Sequence, residues 1–148
     1  FHLLDQIDAI ADMHFMLQRE VVERMAATHG GGDYGRLTVM LAAQVAVTPL
    51  FHIAPGCFTP APQVESTFVR LEPHVQPPFA LPDRALYAKL VHAAFSQRRK
   101  TLRNALKGLA DEAQIRAAGI DPATRPETIR PAGYAALAGV LAASDRIG

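Results

Sequence analysis

One cysteine, Cys57, is all that this 148-residue chain contains. An internal disulfide is therefore impossible, and a reducing cytoplasm is the simplest home. No apolar run reaches the length of about eighteen residues that a membrane-crossing helix needs. The six histidines, at 2, 14, 29, 52, 74 and 92, never fall three or four apart, so no metal site is written in their spacing. The opening Phe1-His2-Leu3-Leu4-Asp5 has no Met and no basic n-region, so it does not read as a signal peptide. It reads instead as a piece of something longer. The most informative absence is of acid: between Arg84 and Lys107 there are seven Lys/Arg residues and no Asp or Glu.

The rest of the chain is acidic. Residues 1–83 hold four basic and nine acidic side chains, and residues 108–148 hold four and five. The net charge of +1 thus hides a polarised molecule. Like charges so concentrated repel one another unless a polyanion neutralises them, and the commonest polyanion is nucleic acid. The plainer reading of such a run is a solvated helix face.

Apolar content of 49% and charged content of 20% fit a globular protein rather than a disordered one. Two halves are visible. Up to about Gln76 strands and helices alternate. Residues 13–17, Met-His-Phe-Met-Leu, read as a strand buried on both faces. Residues 19–28 read as a helix, with Glu20 able to pair with Arg24 and with residues 29–33 ending it. Residues 36–43 suit a short helix. Residues 44–53, rich in Val but holding Pro49, read as a strand near an edge or bulge. Residues 64–72 make the last strand.

Pro73, Pro77, Pro78 and Pro82 then form a stiff connector. Beyond it apolar residues recur at helical spacing: Leu86, Leu90, Ala93 and Ala94, then Leu102, Ala105, Leu106 and Leu109. Residues 111–118 predict a third helix stopped by Gly119, and residues 131–143 a fourth opening on Pro131. The division expected is residues 1–76 and a small helical bundle over 77–148.

Three motifs stand out. Gly30-Gly31-Gly32-Asp33-Tyr34-Gly35 matches G-x-G-x-x-G, yet it follows a helix, and no acid lies between Asp33 and Glu65. It is a loop and not a dinucleotide site. In the basic segment Arg99, Arg103 and Lys107 lie four apart and would stack into one helical stripe beside Lys100. Such a stripe positions a phosphate backbone and carries little sequence information. Third, Phe58-Thr59-Pro60-Ala61-Pro62 holds an aromatic ring at the mouth of a stiff loop. That ring is either a platform for stacking a base or a plug in the core.

Taken in order, several segments resemble one family. They are residues 13–24, Asp33-Tyr34-Gly35-Arg36-Leu37-Thr38-Val39-Met40, the Phe58-x-Pro60-x-Pro62-x-Val64-x-Ser66 pattern, Phe95-Ser96-Gln97-Arg98-Arg99-Lys100-Thr101-Leu102-Arg103-Asn104, Gly119-Ile120-Asp121-Pro122 and Arg125-Pro126-Glu127. The set resembles the small-subunit ribosomal RNA adenine dimethyltransferases, the kasugamycin-sensitivity methyltransferases, over nearly the whole chain. The resemblance implies an α/β fold: the last strands of a Rossmann-like methyltransferase sheet, then a small all-α C-terminal domain that binds RNA. It implies transfer of methyl groups from S-adenosylmethionine to two adjacent adenosines of small-subunit (16S) ribosomal RNA, in ribosome biogenesis. It implies Phe58 as the ring stacked on the target adenine, and Arg98, Arg99, Lys100, Arg103 and Lys107 as RNA contacts.

The family's glycine-rich cofactor loop and its Asn-Leu-Pro-Tyr motif do not occur in these residues. The expectation is therefore the C-terminal half of such an enzyme, with no catalytic, cofactor-binding or metal residue of its own and inactive alone. The expected partners are small-subunit ribosomal RNA and the pre-ribosomal small subunit, with no membrane and a monomeric full-length protein. A non-catalytic ribosomal RNA-binding or assembly module would use the same basic segment. A helix-turn-helix DNA binder would leave the strand-rich half without a role. Large-subunit methyltransferases and mitochondrial transcription factors share the fold, and the run at 95–100 favours the small subunit over the large.

Overall fold

The computed structural model describes residues 1–145. After a 3₁₀ segment, His2–Ala9, the chain forms strand β1 (Met13–Gln18), helices α1 (Arg19–Met25) and α2 (Arg36–Ala42), and strands β2 (Val45–Ile53) and β3 (Ser66–Pro73). Four helices follow: α3 (Arg84–Ser96), α4 (Leu102–Ala105), α5 (Glu112–Ala117) and α6 (Pro131–Asp145).

The three strands make one sheet in the order β1-β3-β2, with β3 antiparallel to both neighbours. β1 and β2 therefore run the same way, joined by a helical crossover, while β2 and β3 form a hairpin. The register slips between Pro49 and Phe51, where proline cannot donate to the ladder. β1 departs from the doubly buried strand expected of it. Met13 is buried while His14 and Met16 are exposed, so its burial alternates. Only one face of β1 meets the helices, and a strand side chain points to alternate faces. The other face carries stacked rings, Phe51 on Phe68 with centroids 5.2 Å apart and His14 on Phe68 at 5.8 Å.

Two buried clusters organise the interior. Val22 and Met25 of α1 and Leu41 of α2 pack on Met13, Val69 and Leu71 of the sheet. The larger cluster joins the helices: Leu90 of α3, Leu102 and Leu106 around α4, Ile115 of α5, and Tyr134 and Leu137 of α6. Tyr34 and Val39, from the strand-bearing half, are buried in that second cluster. The helical bundle is thus wedged against α2.

Local chemistry sets the helix ends. α1 stops at Met25 rather than reaching residue 28, because the Thr38 hydroxyl of α2 donates to the Arg24 carbonyl. The Glu20–Arg24 pair does form, at 2.6 Å. At α5 the Asp111 carboxylate accepts from the Gln114 amide at 2.8 Å, and the Gln114 side chain accepts from the Asp111 amide at 2.9 Å. Gly119, at φ +78°, ends the turn beyond α5 in a conformation open to glycine.

Candidate nucleic-acid interface

The basic segment is not one helix. α3 is capped by Asp83, whose carboxylate accepts from the Leu86 amide at 2.9 Å, and it ends at Ser96. Residues 97–100 form a tight turn, with the Lys100 amide donating to the Gln97 carbonyl at 2.8 Å. Thr101 is extended, and α4 contains only Leu102–Ala105. The break has a cause distant in sequence. The Leu102 amide donates to the Thr124 carbonyl at 2.7 Å, and the Arg103 amide donates to the Pro122 carbonyl at 3.1 Å. Amides bonded to that outside loop do not continue the α3 ladder. Leu102 and Leu106, both at 0% exposure, fix α4 in the core. The turn at 97–100 therefore projects between two buried anchors.

The five expected cations consequently occupy different environments, and Arg99, on the turn, does not continue the helical stripe with Arg103 and Lys107 that their spacing suggests. Arg99 and Lys100 are exposed on the turn, and Lys107 is exposed beyond α4. Among the described residues none of these three has an acidic partner within ion-pair distance. Arg103 is half exposed and pairs with Glu112 at 3.1 Å. Arg98 is partly buried, donates to the Gly31 carbonyl at 3.3 Å, and lies 3.9 Å from Glu127.

One further cation joins the patch. Arg125 follows Thr124, whose carbonyl holds the Leu102 amide. Its own carbonyl accepts from the Thr128 amide at 3.1 Å and the Thr128 hydroxyl at 2.8 Å. The backbone is thus fixed while the side chain is exposed, with no acidic partner among the described residues. Sequence spacing gave no sign of this neighbour, because the loop is brought to α4 by backbone hydrogen bonds.

Phe58 lies at the other kind of site. It follows a 3₁₀ turn, Pro55–Cys57, in the connection between β2 and β3. It is half-buried and belongs to neither buried cluster, so it does not plug the core. The connection leaves the sheet at the carboxyl ends of β1 and β2, where open α/β sheets take their ligands. Its return is clamped: Arg19, at the start of α1, bonds Glu65 at 2.6 Å and Glu23 at 2.8 Å, and the Arg19 amide donates to the Glu65 carbonyl at 2.9 Å. The two carboxylates raise the Arg19 guanidinium above its ordinary pKa.

A methyl donor such as S-adenosylmethionine carries an amino-acid zwitterion and a ribose, and a cradle for it needs polar groups. The cleft between the His2–Ala9 segment and the sheet is lined by Phe1, Leu4, Met13, Phe15, Leu37 and Leu71 among other apolar side chains, and offers no such group. The polar cleft at Gln44, His74 and Arg84 adjoins the beginning of β2 and the end of β3, away from the carboxyl ends of the parallel pair. In the glycine loop the Gly30 amide donates to the Glu127 carbonyl at 2.6 Å and the Gly31 amide to the Thr28 carbonyl at 3.3 Å, so neither is free for a phosphate. The residues described do not fit the cofactor on their own. Nor do any three of their His, Cys, Asp or Glu side chains cluster to hold a metal.

Comparison with known proteins places this geometry. The family model for ribosomal RNA adenine dimethylase matches residues 1–143. A ribosomal RNA small subunit methyltransferase A from Pseudomonas putida is 54% identical over 142 residues, covering 96% of this chain and 53% of the relative. One from Methylobacillus flagellatus is 53% identical over 143 residues, covering 97% and 56%. The chain thus spans about half the length of these relatives. Among solved structures it resembles a dimethyladenosine transferase from Plasmodium falciparum (TM-score 0.69, 20% identity, 92% of this chain and 60% of the other). It also resembles the 23S rRNA methyltransferase ErmE (TM-score 0.64, 22% identity, 95% and 59%). The two structures share the fold, and the matched sequence carries the kinship: the chain belongs to the ribosomal RNA adenine dimethylase family.

Proposed function

We propose that this chain supplies the RNA dock and the adenine platform of an S-adenosylmethionine-dependent ribosomal RNA adenine N6,N6-dimethyltransferase. Its substrate is small-subunit ribosomal RNA, met as the pre-ribosomal small subunit during cytoplasmic ribosome assembly, and the full-length enzyme works as a monomer. Residues 1–76 are the last strands of a Rossmann-like sheet, a reading supported by a same-direction pair, β1 and β2, with an antiparallel β3 between them. Residues 77–148 are the helical RNA-binding domain. Phe58 stacks on the target adenine once it leaves the helix, because an aromatic face at the carboxyl edge of the sheet holds a flipped base by stacking. The cofactor supplies the methyl group when bound, and these 148 residues do not hold it unaided.

The observation that carries this reading is the set of cations without acidic partners among the described residues, Arg99, Lys100, Lys107 and Arg125, on a fixed backbone in a member of this family. An unpaired guanidinium or ammonium releases phosphate counterions at no cost to an internal ion pair. In the protein that carries this chain, Arg99→Ala with Lys100→Ala should weaken binding to small ribosomal subunits. It should also flatten the dependence of log affinity on log salt by a slope of roughly one to two. A salt slope equal to that of the parent would count against phosphate contacts there.

A further inference from the structure

We propose that Arg98 is a positioning residue that fastens the basic turn, and not one of its phosphate contacts; this rests on the RNA-docking reading above. Among the seven cations of residues 84–107, Arg98 is the one that reaches a segment of the strand-bearing half. Its Nη2 donates to the Gly31 carbonyl at 3.3 Å, and its Nε stands 3.9 Å from Glu127 Oε2. That carboxylate oxygen is withdrawn from solvent and has no hydrogen-bond partner. An oxygen so placed depends on a nearby cation. Arg98 is the one cation within ion-pair distance of it among the described residues.

The same junction is pinned twice more. The Gly30 amide donates to the Glu127 carbonyl at 2.6 Å, and the Tyr34 hydroxyl donates to the Ile129 carbonyl at 2.6 Å. The glycine loop, which has no phosphate to hold, here acts as a strap across the two halves. Arg98 is the link between that strap and the exposed pair Arg99-Lys100. A guanidinium that turned to a phosphate would leave the withdrawn Glu127 Oε2 without its one nearby cation. Its contribution is therefore to set where Arg99 and Lys100 stand relative to the sheet that bears Phe58.

The test compares single variants of the protein that carries this chain, titrated with purified small ribosomal subunits over a range of salt. Arg98→Ala should weaken binding by about threefold to tenfold at every ionic strength and keep the parental salt slope. Arg99→Ala should lower the slope by about one. A drop of about one in the Arg98→Ala slope, or no loss of affinity, would overturn the proposal. A second readout needs no RNA. Thermal melting of Arg98→Ala, Glu127→Gln and the double variant should be non-additive, the double melting about as low as the worse single. Additive shifts would overturn the pairing. An unchanged slope in Arg99→Ala beside non-additive melting would defeat the docking reading alone.

Discussion

Tyr34, Tyr87 and Tyr134 are the only tyrosines in the sequence, and none is more than 1% exposed. Each hydroxyl donates to a backbone carbonyl: Tyr34 to Ile129 at 2.6 Å, Tyr87 to Val39 at 2.7 Å and Tyr134 to Pro126 at 2.9 Å. These bonds stitch α2 to α3 and α6 to the loop before it. Burial pushes all three phenols above their ordinary pKa of 10.0, and neighbouring charges add to the rise at Tyr87 and Tyr134. The folded state thus favours the protonated form. Its stabilising effect is complete below the unfolded pKa of about 10 and is lost as pH climbs toward the raised folded values. Tyrosinate absorbance should therefore appear together with loss of helical circular dichroism. Tyrosinate forming near pH 10 in a protein that stays folded would contradict the burial. At Phe58 the prediction is functional. On the proposed function, Phe58→Ala in the protein that carries this chain should lower methylation by about tenfold or more while RNA affinity falls far less, as expected when one stacked base is lost from a large dock. Equal losses in both assays would make Phe58 a support for the fold.

At the scale of elements, the capping box of α5 is the clearest local device. Asp111→Ala removes an acceptor for the Gln114 amide at the start of a six-residue helix. The expected cost is about 1 kcal/mol, read as a fall in melting temperature of about 2–4 °C. An unshifted melt would mean that packing of Ile115 alone holds α5. Local signals made other elements legible in the sequence: Gly119 stopping the helix before it, Pro131 in a first turn, Pro49 at a bulge, Glu20 and Arg24 four apart. The place of the break between α3 and α4 was not, for the stripe of Arg99, Arg103 and Lys107 assumes a helix that runs through residues 99–101. Nothing in residues 95–107 forbids a continuous helix; the carbonyls of Pro122 and Thr124 interrupt it from outside. The exposed face of β1 was hidden for a related reason, since an apolar run looks the same whether one face or two are covered.

For the whole molecule, charge and fold divide the labour. Ion pairs on the strand-bearing half use up most of its cations: Arg19 with Glu23 and Glu65, Arg24 with Glu20, Arg70 with Asp12 and Glu72. The exposed cations left without acidic partners among the described residues lie mostly on the helical half. The polarity seen in the sequence therefore survives folding as a difference in free charge. What the sequence could not assign was which cations are free. Arg98 is engaged by Glu127, Arg103 shares Glu112, and Arg125 joins from a loop whose motif had no role attached.

The central proposal is that the turn at residues 97–100, with Lys107 and Arg125, docks small-subunit ribosomal RNA in the protein that carries this chain. Photochemical cross-linking of that protein to purified small ribosomal subunits, followed by mass spectrometry of the attached peptides, tests it most directly. The account predicts RNA adducts on peptides containing Arg99, Lys100 and Arg125. Adducts confined to other surfaces, with these peptides unmodified, would contradict it.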